Sequence, residues 1–275
     1  MKLIDFDGLF DEKLTQYMEE NKNKYTEKQW EDVIPKLYKK FGDTYVAKIK
    51  CTPKEYYAKM TNEQLAETLS AHLREDVPVP EFLCAEIENR GEADTLLPLL
   101  DSDDTQTVAY AVNLLGDDTR AFEKYFAILT ENRLDEDIRS DITDIFRLHA
   151  DDVKGLALDT YQKGIAMGYM LEILSRVKEK EDCVYDVLLK AFMAAEDAQS
   201  ALCAGYLAAY GDERALPYLL RRIEDRSIGF VEFQELKYAI EALGGSYDEP
   251  RDFSDDKDYL AVEDCSQKFV GGIKS

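Results

Sequence analysis

Apolar residues recur with helical spacing along nearly the whole chain from about residue 61. In "TNEQLAETLSAHL", Leu65, Leu69 and Leu73 share one stripe, and Thr61 and Gln64 have the spacing of a capping box. Segments of the same kind follow as far as "FVEFQELKYAIEALGG", each with apolar residues at i, i+3, i+4 and i+7. The chain has no convincing set of alternating strand patterns. The pattern therefore predicts an all-α protein made of sequential short helices.

A recurring turn signal separates these helices. Gly91, Gly116 and Gly211 each end an apolar run and precede an acidic residue and a new apolar run. Glycine readily adopts the left-handed conformation that ends a helix, and an acidic side chain can cap the free N–H groups of the next helix. Short helices paired in this way commonly stack into an α-solenoid.

The segment 200–245 shows this pattern most fully. Its features in order are Ala201, Ala204 and Leu207, then Gly211 and Asp212, then Ala215, Leu216 and Leu219. The segment resembles HEAT-like repeats of the phycobilisome-lyase type, with a partial match at 105–131. The resemblance implies an α-α superhelix, right-handed, from about residue 77. Repeats of this type are mostly binding scaffolds, so the resemblance also implies binding rather than a particular chemistry.

Charge divides the chain. Of its 275 residues, 57 are acidic and 34 are basic, a net charge of −23. The first 60 residues hold 12 lysines and 11 acids, a net +1, which leaves −24 for the remainder, and they hold 10 of the 30 aromatic residues. We predict three parts: a helical, aromatic-rich N-terminal cap at 1–76, the repeats at 77–245, and an acidic C-terminal cap or tail at 246–275.

The same charge argues against several partners. A strongly acidic protein repels nucleic acid and anionic membranes. No run of about 18 apolar residues occurs, and the first residues do not resemble a signal peptide. We therefore expect a cytoplasmic protein that binds neither membrane nor nucleic acid.

Metal, cofactor and catalytic signatures are missing from the sequence. The five cysteines are scattered without a C-x-x-C pair, and the chain has only two histidines, His72 and His149. We expect no bound metal, no cofactor and no catalytic residue, and so no enzyme.

The N-terminal "KLIDFDGLF" reads like the first motif of haloacid-dehalogenase-type phosphatases. That nucleophile requires a buried strand of about 4–8 apolar residues before it, and only Leu3 and Ile4 are present. We interpret the stretch as a lead-in whose apolar residues pack on a first helix capped by Asp11, with Asp5 and Asp7 in water.

The resulting hypothesis is a scaffold or adaptor that binds a protein or peptide on the concave face of the array. If the second helix of each pair lines that face, the contact residues are Glu123, Lys124, Arg221 and Arg222. Two alternatives stay open. One is an acidic nucleic-acid mimic or chaperone for a basic protein, and the other is a HEAT-like DNA glycosylase, which the net charge disfavours.

Overall fold

The computed structural model describes residues 3–131 and 134–262. Within these ranges the protein is all-α, as predicted, and the only extended pairing is an isolated antiparallel bridge between Val46 and Cys51. No helix of the described ranges is both long and apolar enough to cross a bilayer. The chain divides into two compact units, one ending at Ile142 and one beginning at Thr143.

The first unit contains seven helices in the described ranges and the start of an eighth. They are α1 (Phe6–Glu20), α2 (Glu27–Phe41), α3 (Pro53–Ala58), α4 (Asn62–Arg74), α5 (Glu81–Arg90), α6 (Thr105–Leu115), α7 (Phe122–Glu131) and α8 (Glu136–Leu148), the last of which contains the boundary. Thr26, Thr52 and Thr61 each begin a helix with a complete capping box, as predicted at Thr61.

Helix α1 begins six residues earlier than the sequence predicted. Its cap is Asp5, whose carboxylate accepts a hydrogen bond from the Gly8 N–H at 2.7 Å, and not Asp11. Asp7 is not left in water either, because it accepts a hydrogen bond from the Tyr38 hydroxyl at 2.5 Å. Both acidic residues of "KLIDFDGLF" therefore have structural partners.

Aromatic rings pack α1 against α3 and α2 against α5. The buried Phe6 meets the edges of Tyr56 and Tyr57, and Tyr38 stacks on Phe82 of α5 with ring centroids 4.8 Å apart. Each such pair stabilises the fold by about 0.5–1.5 kcal/mol beyond the contribution of the apolar area that it buries. The aromatic-rich beginning of the chain is thus a packed element, as expected from its composition.

Arg90, the last residue of α5, satisfies the carbonyls that α3 leaves free at its C-terminal end. Its guanidinium donates to the Met60 carbonyl at 2.7 Å, to Asn62 Oδ1 at 2.9 Å and to the Ala58 carbonyl at 3.2 Å. Glu86, one turn earlier on α5, holds the same guanidinium at 2.7 Å. Helix ends need such partners because their last four carbonyls have none within the helix.

One of the three predicted glycine-acid turns forms completely, and the other two form in part. Gly211 is left-handed with φ +76°, and Asp212 then accepts from the Arg214 N–H at 3.0 Å. At Gly116 an acidic cap also forms, with Asp118 accepting from the Arg120 N–H at 2.9 Å, but Gly116 has φ +52° and ψ −126° and so lies outside the left-handed helical region. At Gly91 the helix ends with glycine in the left-handed conformation, as predicted, but Glu92 makes no side-chain capping bond.

The second unit contains six further helices in its described part. They are α9 (Ala150–Gln162), α10 (Met167–Leu174), α11 (Asp182–Ala194), α12 (Asp197–Tyr210), α13 (Leu216–Ile223) and α14 (Phe230–Ala242). Helix α12 is central, because it contacts α10, α11 and α14. Buried residues of α10, α12 and α14 form much of this unit's core, among them Met170, Leu174, Leu207, Leu236 and Ile240.

The end of α12 holds the loop that leads into α11. The buried Tyr210 hydroxyl accepts a hydrogen bond from the Glu181 N–H at 2.7 Å and lies 3.3 Å from the Glu179 carbonyl. Lys180 lies over the Tyr210 ring, 4.3 Å from its centroid, and donates to the Tyr210 carbonyl. This loop is therefore fixed by contacts to a residue about 30 positions later in the chain.

Residues after α14 cover its exposed end. Phe253 packs on Phe230 and Phe233, and Arg251 donates to the carbonyls of Ile223 and Asp225 at 2.5 and 2.8 Å. The predicted C-terminal cap thus has packing contacts in its described part, and the remainder of 246–275, from 263 onward, lies outside the described residues.

Candidate functional site

Two of the predicted contact residues, Glu123 and Lys124, lie on α7 in the first unit. Glu123 is exposed. Lys124 is already paired, with its Nζ 2.5 and 2.6 Å from the two carboxylate oxygens of Asp101. A partner on this face would meet Glu123 directly but would have to compete with Asp101 for Lys124.

The other two, Arg221 and Arg222, lie on α13 in the second unit and have different environments. Arg221 is exposed and makes no ion pair with a described residue. Arg222 turns inward, with its Nε 2.6 Å from Oε1 of Glu232, a side chain only 6% exposed, and it also lies 3.5 Å from Asp225. Arg222 therefore neutralises a buried carboxylate of α14, which is a structural role.

A more promising feature is a groove of about 450 Å³ along α12. Residues of α12 form its floor, and the neighbouring elements supply its walls. The α10 side contributes Glu172, Ser175 and Arg176, and the α14 side contributes Glu235. We call this feature the α12 groove.

The floor of the α12 groove is low because its residues are small. Ala201, Gly205 and Ala209 follow one another at intervals of four, so they share one face of the helix. A Cβ atom built on Gly205 would meet no atom within 4 Å. The groove is therefore open directly above this position.

Apolar and aromatic surface lies beside this floor. Leu202 is 54% exposed, which is unusual for a leucine on a central helix. Tyr206 is half-buried, and burial, followed by the nearby carboxylate of Glu172, raises the pKa of its phenol to about 12. Its hydroxyl thus stays protonated and able to donate a hydrogen bond at any physiological pH. On α14, Val231 and Tyr238 are also exposed and share the helix face of Glu235.

The charged residues of the two walls differ in how they are engaged. Glu172 accepts from Arg147 at 3.3 Å. Arg176 on the same wall and Glu235 on the opposite wall are exposed and have no ionic partner among the described residues. The α12 groove thus offers one guanidinium and one carboxylate to a ligand, on either side of an apolar floor.

Within residues 3–131 and 134–262, no cluster of three or more histidine, cysteine or acidic side chains could hold a metal ion. The groove residues include a tyrosine, two carboxylates, a serine and an arginine, and the Ser175 hydroxyl donates to the Glu172 carbonyl at 2.6 Å. These groups can make hydrogen bonds, ion pairs and apolar contacts with a ligand.

Sequence reasoning missed the α12 groove. The spacing of Ala201, Gly205 and Ala209 is visible in the sequence, but small residues on a helix usually mark close packing against another helix. Whether they face a neighbour or solvent depends on how α10 and α14 are placed on either side, which the pattern of one helix does not contain.

Comparison with known proteins finds no matching family model, no matching curated protein and no matching solved structure. The chain's function must therefore be argued from its own residues.

Proposed function

We propose that the protein is a non-enzymatic scaffold or adaptor that binds a peptide segment of another protein in the α12 groove. The observation that carries the proposal is the combination of an unfilled floor at Gly205, exposed apolar surface at Leu202, and two unengaged charges, Arg176 and Glu235, on opposite walls. Exposed apolar surface rimmed by polar groups is characteristic of recognition sites.

The groove's chemistry suits an extended or helical segment with one apolar side chain between two opposite charges. The apolar side chain would cover Leu202 and the small floor residues. An acidic group of the ligand would pair with Arg176, and a basic group would pair with Glu235, which fixes the direction of the segment. Tyr206 contributes a rigid aromatic contact and a hydroxyl, features common where binding energy concentrates.

The helical-repeat interpretation supports this role but places the contacts differently. We propose a HEAT-like superhelix for 77–245, supported by the glycine-acid turns at Gly116 and Gly211. The groove lies on α10, α12 and α14, whereas the residues predicted from the sequence lie on α7 and α13. Glu123 and Arg221 stay predicted contacts, and our proposal assigns the main ligand surface to the α12 groove.

A peptide selection tests the proposal. A random peptide library displayed on phage would be selected on the full-length chain and counter-selected on a Gly205→Leu variant, in which leucine fills the floor. Gly205→Ala is the matched control, because a methyl group leaves most of the groove open. Peptides that bind the wild type and Gly205→Ala, but bind Gly205→Leu at least about tenfold more weakly, support the proposal.

The selected sequences provide the second criterion. The proposal expects an apolar residue flanked by one acidic and one basic residue, and Arg176→Glu should reverse the preference on the acidic side. If no peptide is enriched, or if enriched peptides bind Gly205→Leu as well as the wild type, the α12 groove is not the binding site.

The alternative of an acidic mimic or chaperone rests on the net charge of −23 alone. It differs in salt dependence, since an interaction made by the summed field weakens steeply as salt rises. Affinity capture from a cell extract at low and moderate salt separates the two. Basic nucleic-acid-binding proteins that are released by salt, and captured equally by Gly205→Leu, would favour the mimic.

A further inference from the structure

A second cleft lies in the first unit, between α1 and α2. It has a volume of about 160 Å³. Its base is formed by Phe10 and Phe41, which are 7% and 4% exposed, and whose ring centroids are 5.7 Å apart. The remaining lining residues are Lys13, Leu14, Tyr17, Leu37, Lys40 and Thr44. We call this feature the hairpin cleft.

The helices on either side of the hairpin cleft are incompletely covered. Helix α1 buries only Phe6 and Phe10, and α2 buries only Phe41. Yet α2 carries a continuous apolar stripe that begins at Trp30 and includes Val33, Ile34 and Leu37, all of which are partly exposed. An amphipathic helix normally buries such a stripe against a neighbour, and α1 alone does not cover it.

The charge of the hairpin cleft identifies the kind of neighbour. Its lining contains two lysines and no acidic residue, in a chain where acids outnumber bases by 57 to 34. The ammonium group of Lys13 lies over the Phe41 ring, 5.0 Å from its centroid, and so is held at the cleft edge. Lys13 and Lys40 are both exposed and have no carboxylate partner among the described residues.

From these observations we infer that the hairpin cleft is a second docking site, which takes an acidic amphipathic helix of a partner protein. One large apolar side chain of that helix occupies the cleft over Phe10 and Phe41, and carboxylates beside it pair with Lys13 and Lys40. The site is independent of the α12 groove, and the chain would thereby join two partners, as an adaptor does.

Two synthetic peptides test this inference. Both are helical, about 18 residues long and share one leucine stripe, and they differ only in having glutamate or lysine beside it. Each would be fluorescein-labelled and titrated with the full-length chain, with anisotropy as the readout. The sole tryptophan, Trp30, provides a second signal in the unlabelled system, because it contacts the cleft residue Tyr17 at a ring-centroid distance of 6.2 Å.

The glutamate peptide should bind at least about tenfold more tightly than the lysine peptide. The double variant Lys13→Glu and Lys40→Glu should reverse this preference. The double variant Lys28→Glu and Lys36→Glu, which changes the net charge equally at exposed α2 positions outside the cleft, should keep it.

Two results would overturn the inference. In the first, the glutamate peptide does not bind, or binds both charge-reversed variants equally. In the second, sedimentation shows that the wild type self-associates and that Lys13→Glu with Lys40→Glu makes it monomeric, in which case the occupant is another copy of this chain. Gly205→Leu should leave the glutamate peptide's affinity unchanged, so that failure here and failure at the α12 groove are read separately.

Discussion

Arg221 and Arg222 are neighbours in sequence, and the structure predicts opposite consequences for removing them. Arg222→Met leaves Glu232, only 6% exposed, without its partner at 2.6 Å. Breaking a buried ion pair from one side costs about 3–5 kcal/mol, and since Arg222 is itself 30% exposed, we expect about 3 kcal/mol. Arg221→Met removes an exposed side chain without an ionic partner among the described residues, and should change stability by no more than about 0.5 kcal/mol.

The measurement is a double-mutant cycle in urea, followed by far-UV circular dichroism. Arg222→Met, Glu232→Met and the double variant are compared with the wild type, and Arg221→Met is the positional control. The double variant should be more stable than Arg222→Met alone, because replacing both partners removes the unpaired charge. Equal stability of Arg221→Met and Arg222→Met, or a coupling energy below about 0.5 kcal/mol, would refute the reasoning.

The outcome also decides how partner binding is tested. If Arg222 is structural, its reversal to glutamate would place two carboxylates together in the protein interior, and any loss of binding would reflect damage to the second unit. Arg221→Glu is the variant that tests a contact role on α13.

Further predictions concern single groups with defined partners. Arg90→Met should lower the free energy of unfolding, measured by urea denaturation, by about 3 kcal/mol, because carbonyls at the C-terminal end of α3 lose a charged hydrogen-bond donor. Arg74→Met, at the exposed end of α4, is the control and should change it little. In thermal unfolding, Tyr57→Phe should be neutral or stabilising, because the buried Tyr57 hydroxyl has no hydrogen-bond partner in the described residues. Tyr125→Phe should instead destabilise the protein by about 1 kcal/mol, because it removes the hydrogen bond from the Tyr125 hydroxyl to the Gly116 carbonyl at 3.1 Å. The Arg214 guanidinium, first by its hydrogen bond, lowers the pKa of Asp212. Because the pKa of Asp212 is lower in the folded than in the unfolded state, its carboxylate stabilises the fold above the unfolded pKa of about 4, and this stabilisation is lost as the pH falls. Asp212→Asn should therefore have a lower melting temperature than the wild type near neutral pH, and its melting temperature should fall less on acidification. Parallel curves of melting temperature against pH would contradict this.

Local signals in the sequence were sufficient to predict helices and several of their ends. Capping residues act within three or four positions, so Thr61 and Gly211 could be read directly from neighbouring residues. The start of α1 was mispredicted because Asp5 and Asp11 are both plausible caps by residue type, and only the packing of Phe6 against Tyr57 favours the earlier start.

The candidate sites were less accessible to sequence reasoning because they depend on distant residues. The ion pair of Arg222 spans a turn to reach Glu232 on the next helix. The α12 groove requires Arg176 and Glu235, 59 positions apart, to lie on opposite sides of Gly205. A helical period assigns a residue to a face, but it does not say what stands opposite that face.

The bond from Tyr210 to the loop before α11 has a consequence for recognition. That loop begins near Arg176, so the phenol at the end of α12 helps to fix one wall of the groove relative to its floor. The conformational entropy of this wall is therefore lost when the protein folds and not when a ligand arrives. If a ligand binds the α12 groove as we propose, this preorganised wall would lower the entropic penalty of binding, and Tyr210 would influence the affinity without touching the ligand.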